Sequence, residues 1–250
     1  MNKQHKIGIV AGAWRPHDAL EHIAWIKPPW GSNDYIWLDF PEAIFSDQGL
    51  LYLSHVSSLF PTKFPNLPPV AWQDVDTGIQ YERTLPNAVS WRGFVGATTS
   101  NLVELSLTLT NGSPEPLTTI RLQTCLFMRA HYQLSAYGLS NKFIHTEQGW
   151  VDLEAVGSMG EENGRYHFGW RSGPKIADLP VIACQTSSAR HIVAFSWRQD
   201  TYSLICNPDH PCIHADPAIP DLAPGASYTL QGEIYFANNG LAEIEDRYAQ

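Results

Sequence analysis

The strongest constraint in this chain is a period of two. Residues 102–110 place Val103, Leu105, Leu107 and Leu109 on one face, and Glu104, Ser106, Thr108 and Thr110 on the other. Alternation of that kind belongs to an extended strand with one buried side. Asn111-Gly112-Ser113-Pro114-Glu115-Pro116 follows, in which glycine permits positive φ and proline fixes φ, so the chain turns. The alternation then resumes over 119–131, with Ile120, Leu122, Thr124, Leu126 and Met128 on one side. Arg121, Gln123, Cys125, Phe127, Arg129 and His131 fall on the other. The pair reads as a hairpin with an apolar face and a polar, cation-bearing face.

Further strands are expected at 7–13 (a buried first strand), 49–56, 79–85, 89–96, 165–170, 180–185, 191–197 and 228–236. Helical periodicity is confined to 17–25, where Pro16 stands at a helix-starting position, and to 241–248. Many strands with so little helix predict an all-β fold: a two-sheet antiparallel β-sandwich, supersandwich or jelly-roll-like, with one or two short helices. With 250 residues, no internal repeat and no low-complexity linker, residues 1–250 are expected to form a single domain.

The formal charge of -9 gives the wrong field for a nucleic acid or an anionic membrane surface. No window reaches the roughly 18 apolar residues of a transmembrane helix. The start, Met1-Asn2-Lys3-Gln4-His5-Lys6, is basic, but the apolar run after it ends at Trp14-Arg15-Pro16-His17 without a small-residue cleavage site. Four cysteines, Cys125, Cys184, Cys206 and Cys212, without a CxxC are too few for a disulfide scaffold. A cytoplasmic protein with free thiols is expected, a Cys206–Cys212 bridge being the alternative in an oxidising compartment.

Three regions could carry a site. Trp14, Trp25, Trp30 and Trp37 crowd the first forty residues, with Tyr35 among them in a proline-fixed run from Lys27. Aromatic faces there suit the CH faces of sugar rings, so Trp30, Tyr35 and Trp37 are candidate stacking residues; alternatively, the rings plug an open end of the sandwich. His55 ends an apolar strand, and His214 lies in the proline-rich stretch 207–217, which reads as a rigid loop. Either imidazole could bind a metal or move a proton, or be satisfied by a backbone carbonyl. With Glu42 or Asp216, His55 and His214 could hold a single divalent ion. Cys206, His210, Cys212 and His214 form a second donor set, at a spacing unusual for zinc. On the polar face of 119–131, Gln123, Arg129 and His131, with Tyr137 nearby, could neutralise a sugar acid's carboxylate and abstract its proton; a solvated outer face is the alternative. There is no G-x-S-x-G elbow, P-loop, G-x-G-x-x-G or H-E-x-x-H.

Several segments carry a resemblance. They include Pro28-Pro29-Trp30, Tyr35 to Ile44, Gly49 to His55, Tyr81 to Asn87, Leu122-Gln123-Thr124-Cys125, Gly169 to Pro174, Asn207 to Pro217 and Pro220 to Gly225. Over most of its length the chain resembles a group of β-sandwich proteins from polysaccharide-degrading environmental bacteria. The turn 111–117 and the closing Ala223-Pro224-Gly225 are similar to galactose-mutarotase-like sandwiches, although no segment matches the mutarotase acid and base motifs. The resemblance supplies context rather than a mechanism; the residues above point to a carbohydrate-active enzyme on a small saccharide or sugar acid, working by proton abstraction as a lyase or isomerase. His55 and His214 would be ligands or acid–base groups, and Arg129 would hold the substrate's oxygen-rich part. A non-catalytic carbohydrate-binding module or an accessory subunit is the alternative. Homo-oligomerisation or a partner enzyme subunit stays open.

Overall fold

The computed structural model describes residues 6–14, 21–55, 59–156, 161–162, 165–169 and 177–249. In chain order the strands are β1 (Gly8–Gly12), β2 (Ile23–Lys27), β3 (Ile36–Ser46), β4 (Gly49–Leu53), β5 (Gln73–Val75), β6 (Gly78–Thr84), β7 (Val89–Ala97), β8 (Leu102–Asn111) and β9 (Ile120–Phe127). They continue as β10 (Lys142–Thr146), β11 (Gly149–Asp152), β12 (Glu161–Glu162), β13 (Arg165–Gly169), β14 (Ile182–Gln185), β15 (Ile192–Ser196), β16 (Thr201–Asn207), β17 (Cys212–Ile219) and β18 (Ser227–Ala237). The helices are α1 (Leu153–Val156) and α2 (Leu241–Tyr248). The protein is an all-β, two-sheet antiparallel sandwich. One sheet runs β1-β2-β3-β9-β17-β16-β13-β12, with β4 also on β3; the other runs β11-β10-β14-β15-β18-β8-β7-β6-β5. Among the described residues no helix is long and apolar enough to cross a membrane.

The alternation in 102–110 does what its pattern requires. Val103, Leu105, Leu107 and Leu109 of β8 are fully buried, and across the sandwich Leu122 and Leu126 of β9 join the same core. The first sheet has a second role. Its rows Leu38–Leu126–Ile213–Cys206 face the core, so the neighbouring rows Trp37–Phe127–Cys212 and Asp39–Cys125–His214 face outward. Cys125, Phe127 and Cys212 are nevertheless buried in a separate small cluster, against Trp14 and Trp37. The outer face of this sheet is therefore partly dry.

Three expectations differ from the structure. Residues 15–20 lie outside the described residues, but the remainder of the expected helix at 17–25 enters β2, from Ile23. This segment lacks a polar face because both of its sides are covered: Ala24 and Ile26 sit in the core, while Trp25 pairs with Trp37 in register on the outer side. β1 is an edge strand with Val10 54% exposed, rather than a buried one. At its end Gly12 leaves room for Trp25, whose ring would lie 2.2 Å from any added Cβ. The stretch 207–217 is mostly strand: β16 and β17 form a hairpin around residues 208–211. Pro217 lies within β17, and there the β17–β9 ladder gives way to a side-chain bond, Thr124 N donating to Asp216 Oδ1 at 2.8 Å.

Candidate active site on the outer face of one sheet

A bulge positions the central acid. On β3, Asp39 pairs with Cys125 of β9 and Ala43 pairs with Gln123, so Phe40, Pro41 and Glu42 stand against Thr124 alone. The extra length turns Glu42 out of the ladder. The end of β4 is tied to it by Ser54 N donating to Glu42 O at 2.7 Å, which brings His55 alongside. From the other side β17 presents His214. The Glu42 carboxylate thus stands between two imidazoles: Oε1 is 3.9 Å from His55 Nδ1, and Oε2 is 3.9 Å from His214 Nδ1. Asp216 Oδ1 is 3.8 Å from the same His214 nitrogen. Glu42 Oε2 and His214 Nδ1 are buried and make no hydrogen bond to protein atoms.

Each partner is held from behind. Ser54 Oγ donates to Asp39 Oδ2 at 2.7 Å and lies 3.3 Å from His55 Nδ1. The single hydroxyl proton goes to the carboxylate, which can only accept. The His55 contact therefore runs from Nδ1–H to Ser54 Oγ, leaving Nε2 as the basic nitrogen of the neutral ring. On the deep side His214 Nε2 is 3.5 Å from Cys212 Sγ. A hydrogen bond from Cys125 holds the Cys212 thiol well below its ordinary pKa against the opposing effect of burial, with His214 adding to the shift. Burial disfavours the His214 cation, but Cys212, Asp216 and Glu42 outweigh it and carry the imidazole up to about 10. Burial pushes Asp216 up to about 7, even with His214 and the Thr124 amide opposing.

The surroundings suit a small polar ligand with an apolar side. Asp216 and Gln123 also line a groove of about 420 Å³ with Phe45, Arg121, Tyr202 and Ser203. That volume falls among small-molecule sites, which run from roughly 300 to 1,000 Å³. Arg121 stacks over the Tyr202 ring at 4.4 Å on the groove wall. Two residues along each strand from the polar row lies the aromatic row. Tyr35 stacks on Trp25 at 4.8 Å, Trp37 lies 5.2 Å from Phe127, and Trp14 stacks on Phe127 at 4.5 Å.

Of the residues singled out from sequence, the structure brings His55, Glu42, His214 and Asp216 together, with Gln123 beside them and Tyr35 and Trp37 in the adjoining aromatic row. The others lie apart from this cluster. β9 stops at Phe127, because Met128 N donates to Pro211 O and successive turns follow at 128–131 and 131–134; Arg129 and His131 therefore do not continue the Gln123 face. His131 is buried edge-on to Trp30, its pKa lowered by burial. Trp30 also stacks on His191 and meets Phe236, packing against the core. Arg129 and Tyr137 are exposed and bond to each other. Cys206 points into the core, opposite to Cys212 and His214, so the Cys206–His210–Cys212–His214 set does not converge and all four cysteines are free.

Sequence reading missed Asp39, Ser54 and Cys125 as parts of the site. The alternation did carry a signal for Cys125, a buried residue type on the polar side of its strand.

No known protein family matches the sequence, and no curated protein does. Solved structures do share the fold. A putative aldose 1-epimerase from Escherichia coli K12 superposes with a TM-score of 0.52 at 9% identity, over 93% of this chain and 99% of that one. A GalM/aldose epimerase homologue from C. elegans gives 0.51 at 8% identity, over 93% and 99%.

Proposed function

We propose that this protein is a sugar-isomerising enzyme, acting on a small saccharide by paired proton removal and return. The observation that carries the reading is the Glu42 carboxylate, set in a strand bulge between His55 and His214 beside an outer-face groove. Glu42 takes the proton. It and His55 are the more accessible members, with side chains 14% and 26% exposed against 7% for His214. His55, held through Ser54 and Asp39 and entering the cycle as the imidazolium, returns a proton from Nε2 to the neighbouring oxygen or carbon, and the proton taken by Glu42 passes back to His55 through solvent to reset the pair. His214 faces the second oxygen of Glu42 at 3.9 Å, and Asp216 stands beside the same His214 nitrogen. Gln123 and Arg121 meet hydroxyls or a carboxylate of the sugar, and Tyr35 and Trp37 face its apolar side.

The sandwich shared with proteins titled as aldose 1-epimerase homologues is consistent with this reading, but the site chemistry carries it. A lyase step would use the same base, and an isomerase is favoured because acid and base stand side by side on one wall. The test is two-dimensional NMR exchange spectroscopy on a panel of aldoses, ketoses and uronic acids, with the protein kept in chelator. Exchange between isomers, accelerated in proportion to protein concentration, is expected for at least one sugar. Saturable sugar binding without any turnover would instead make the protein a carbohydrate-binding module.

A further inference from the structure

Behind the acid–base pair lies a second constellation that the proposed reaction does not use chemically. Cys125 of β9 and His214 of β17 are direct cross-strand partners, and Cys212 is two residues before His214 on the same face. Cys125 Sγ, Cys212 Sγ and one His214 ring nitrogen all lie within 4.8 Å of one another, and all three residues are buried. We infer that Cys125, Cys212 and His214 form a binding site for a thiophilic divalent cation of the zinc class.

Geometry supports this first. With Zn–S near 2.3 Å and Zn–N near 2.0 Å, ligand atoms at the corners of a tetrahedron stand about 3.5–3.8 Å apart. Cys212 Sγ and His214 Nε2 are 3.5 Å apart, so this edge is already the right length. Two thiolates and a neutral imidazole also balance the charge of a divalent ion, as a dry site requires. The shell is dry: Phe127, Trp14 and Trp37 pack around the thiols. Binding releases the remaining thiol and imidazole protons to solvent.

A second observation is independent of the thiols. Metal-binding histidines usually donate their other ring N–H to a carboxylate, which fixes the tautomer. His214 offers Nε2 to the sulfur pair while Nδ1 faces Glu42 Oε2 and Asp216 Oδ1, both under 4 Å away. The other two cysteines, Cys184 and Cys206, point into the core and take no part in the set. Three protein ligands leave a fourth position for a carboxylate, water or substrate oxygen. The expected ion site at His55, His214, Glu42 and Asp216 is thereby redrawn, with Glu42 and Asp216 supporting His214 from outside the ligand set.

The experiment is Co²⁺ titration of the full chain, reduced and stripped by chelator, followed by ultraviolet–visible spectroscopy. One equivalent should give a thiolate-to-cobalt charge-transfer band and d–d bands of tetrahedral intensity, both bleached by one equivalent of Zn²⁺. Cys184→Ala should keep the bands, whereas Cys125→Ser and Cys212→Ser should each weaken Zn²⁺ binding by more than about 100-fold. Glu42→Gln should weaken it by about 10- to 100-fold. The site is refuted if folded wild type takes up no Co²⁺, or takes it up without the charge-transfer band, as oxygen and nitrogen ligands at Asp39, Glu42 and His55 would. That spectrum decides the matter even should a cysteine variant fail to fold. Because it is read without any sugar, its failure is separable from failure of the isomerase reading, which is assayed in chelator.

Discussion

Glu233 provides the sharpest stability prediction. Its side chain is 2% exposed on β18, yet it accepts three charge-assisted hydrogen bonds. Arg198 Nη2 donates at 2.6 Å, Arg247 Nε at 2.6 Å and Arg247 Nη2 at 2.8 Å. Arg247 lies in the last turn of α2, so this carboxylate clamps the terminal helix to the sheet. Glu233→Gln keeps the shape, removes the charge and turns one acceptor into a donor facing a guanidinium. Hydrogen bonds to charged groups contribute about 1.5–3 kcal/mol each. Arg198 is 55% exposed and Arg247 31%, so both recover hydration and only part of that sum is lost. A net cost of about 2–4 kcal/mol follows, which for a chain of this size lowers Tm by roughly 5–15 °C.

The pH dependence has a definite direction. Burial alone would raise the Glu233 pKa, but the bonds from Arg247 and Arg198 reverse that and hold it below its ordinary value. A depressed carboxylate contributes fully above its unfolded pKa of about 4.3 and loses that contribution as pH falls through the lower folded value. Thermal unfolding of wild type and Glu233→Gln should therefore differ most at neutral pH and converge in acid. Equal melting temperatures at neutral pH, or a gap that widens on acidification, would refute the reasoning.

Other perturbations follow from the same packing and site. Gly93→Ala should destabilise by about 1–3 kcal/mol in chemical denaturation. The new Cβ would lie 2.5 Å from Tyr81 Cε1 and 3.1 Å from Phe40 Cε1, and the Tyr81 hydroxyl is pinned by Phe40 O and Trp91 Nε1. Ser54→Ala should cut kcat on the sugar found in the screen by about tenfold with KM little changed, since it frees the His55 tautomer without touching the groove. Trp37→Ala should act in the opposite sense, raising KM by about fivefold to tenfold through loss of an aromatic contact.

The sequence made the sheets legible where one face is buried and the other wet. β8 and the first part of β9 follow from alternation alone. β2 was not legible because Trp25 and Ile26 cover both faces, which erases the period. β17 was hidden by Pro217 and the prolines of the turn before it, although the strand continues there, with the Asp216 carboxylate accepting from Thr124 N where the ladder to β9 is interrupted. The cluster was legible only as residue types. That Glu42 reaches both His55 and His214 depends on the bulge at residues 40–42, and no local pattern announces it. The pairing of Cys125 with His214 depends on strand register, which two segments some ninety residues apart cannot reveal until they are laid side by side.

The central claim is that Glu42 moves the proton, and one comparison tests it directly. Isomer exchange should be measured by NMR for wild type and Glu42→Gln at equal concentration, with matching melting curves as the check on folding. Wild type should interconvert the sugar saturably, and the variant should be slower by about 10²- to 10⁴-fold. A folded Glu42→Gln protein that interconverts the same sugar at the wild-type rate would contradict it.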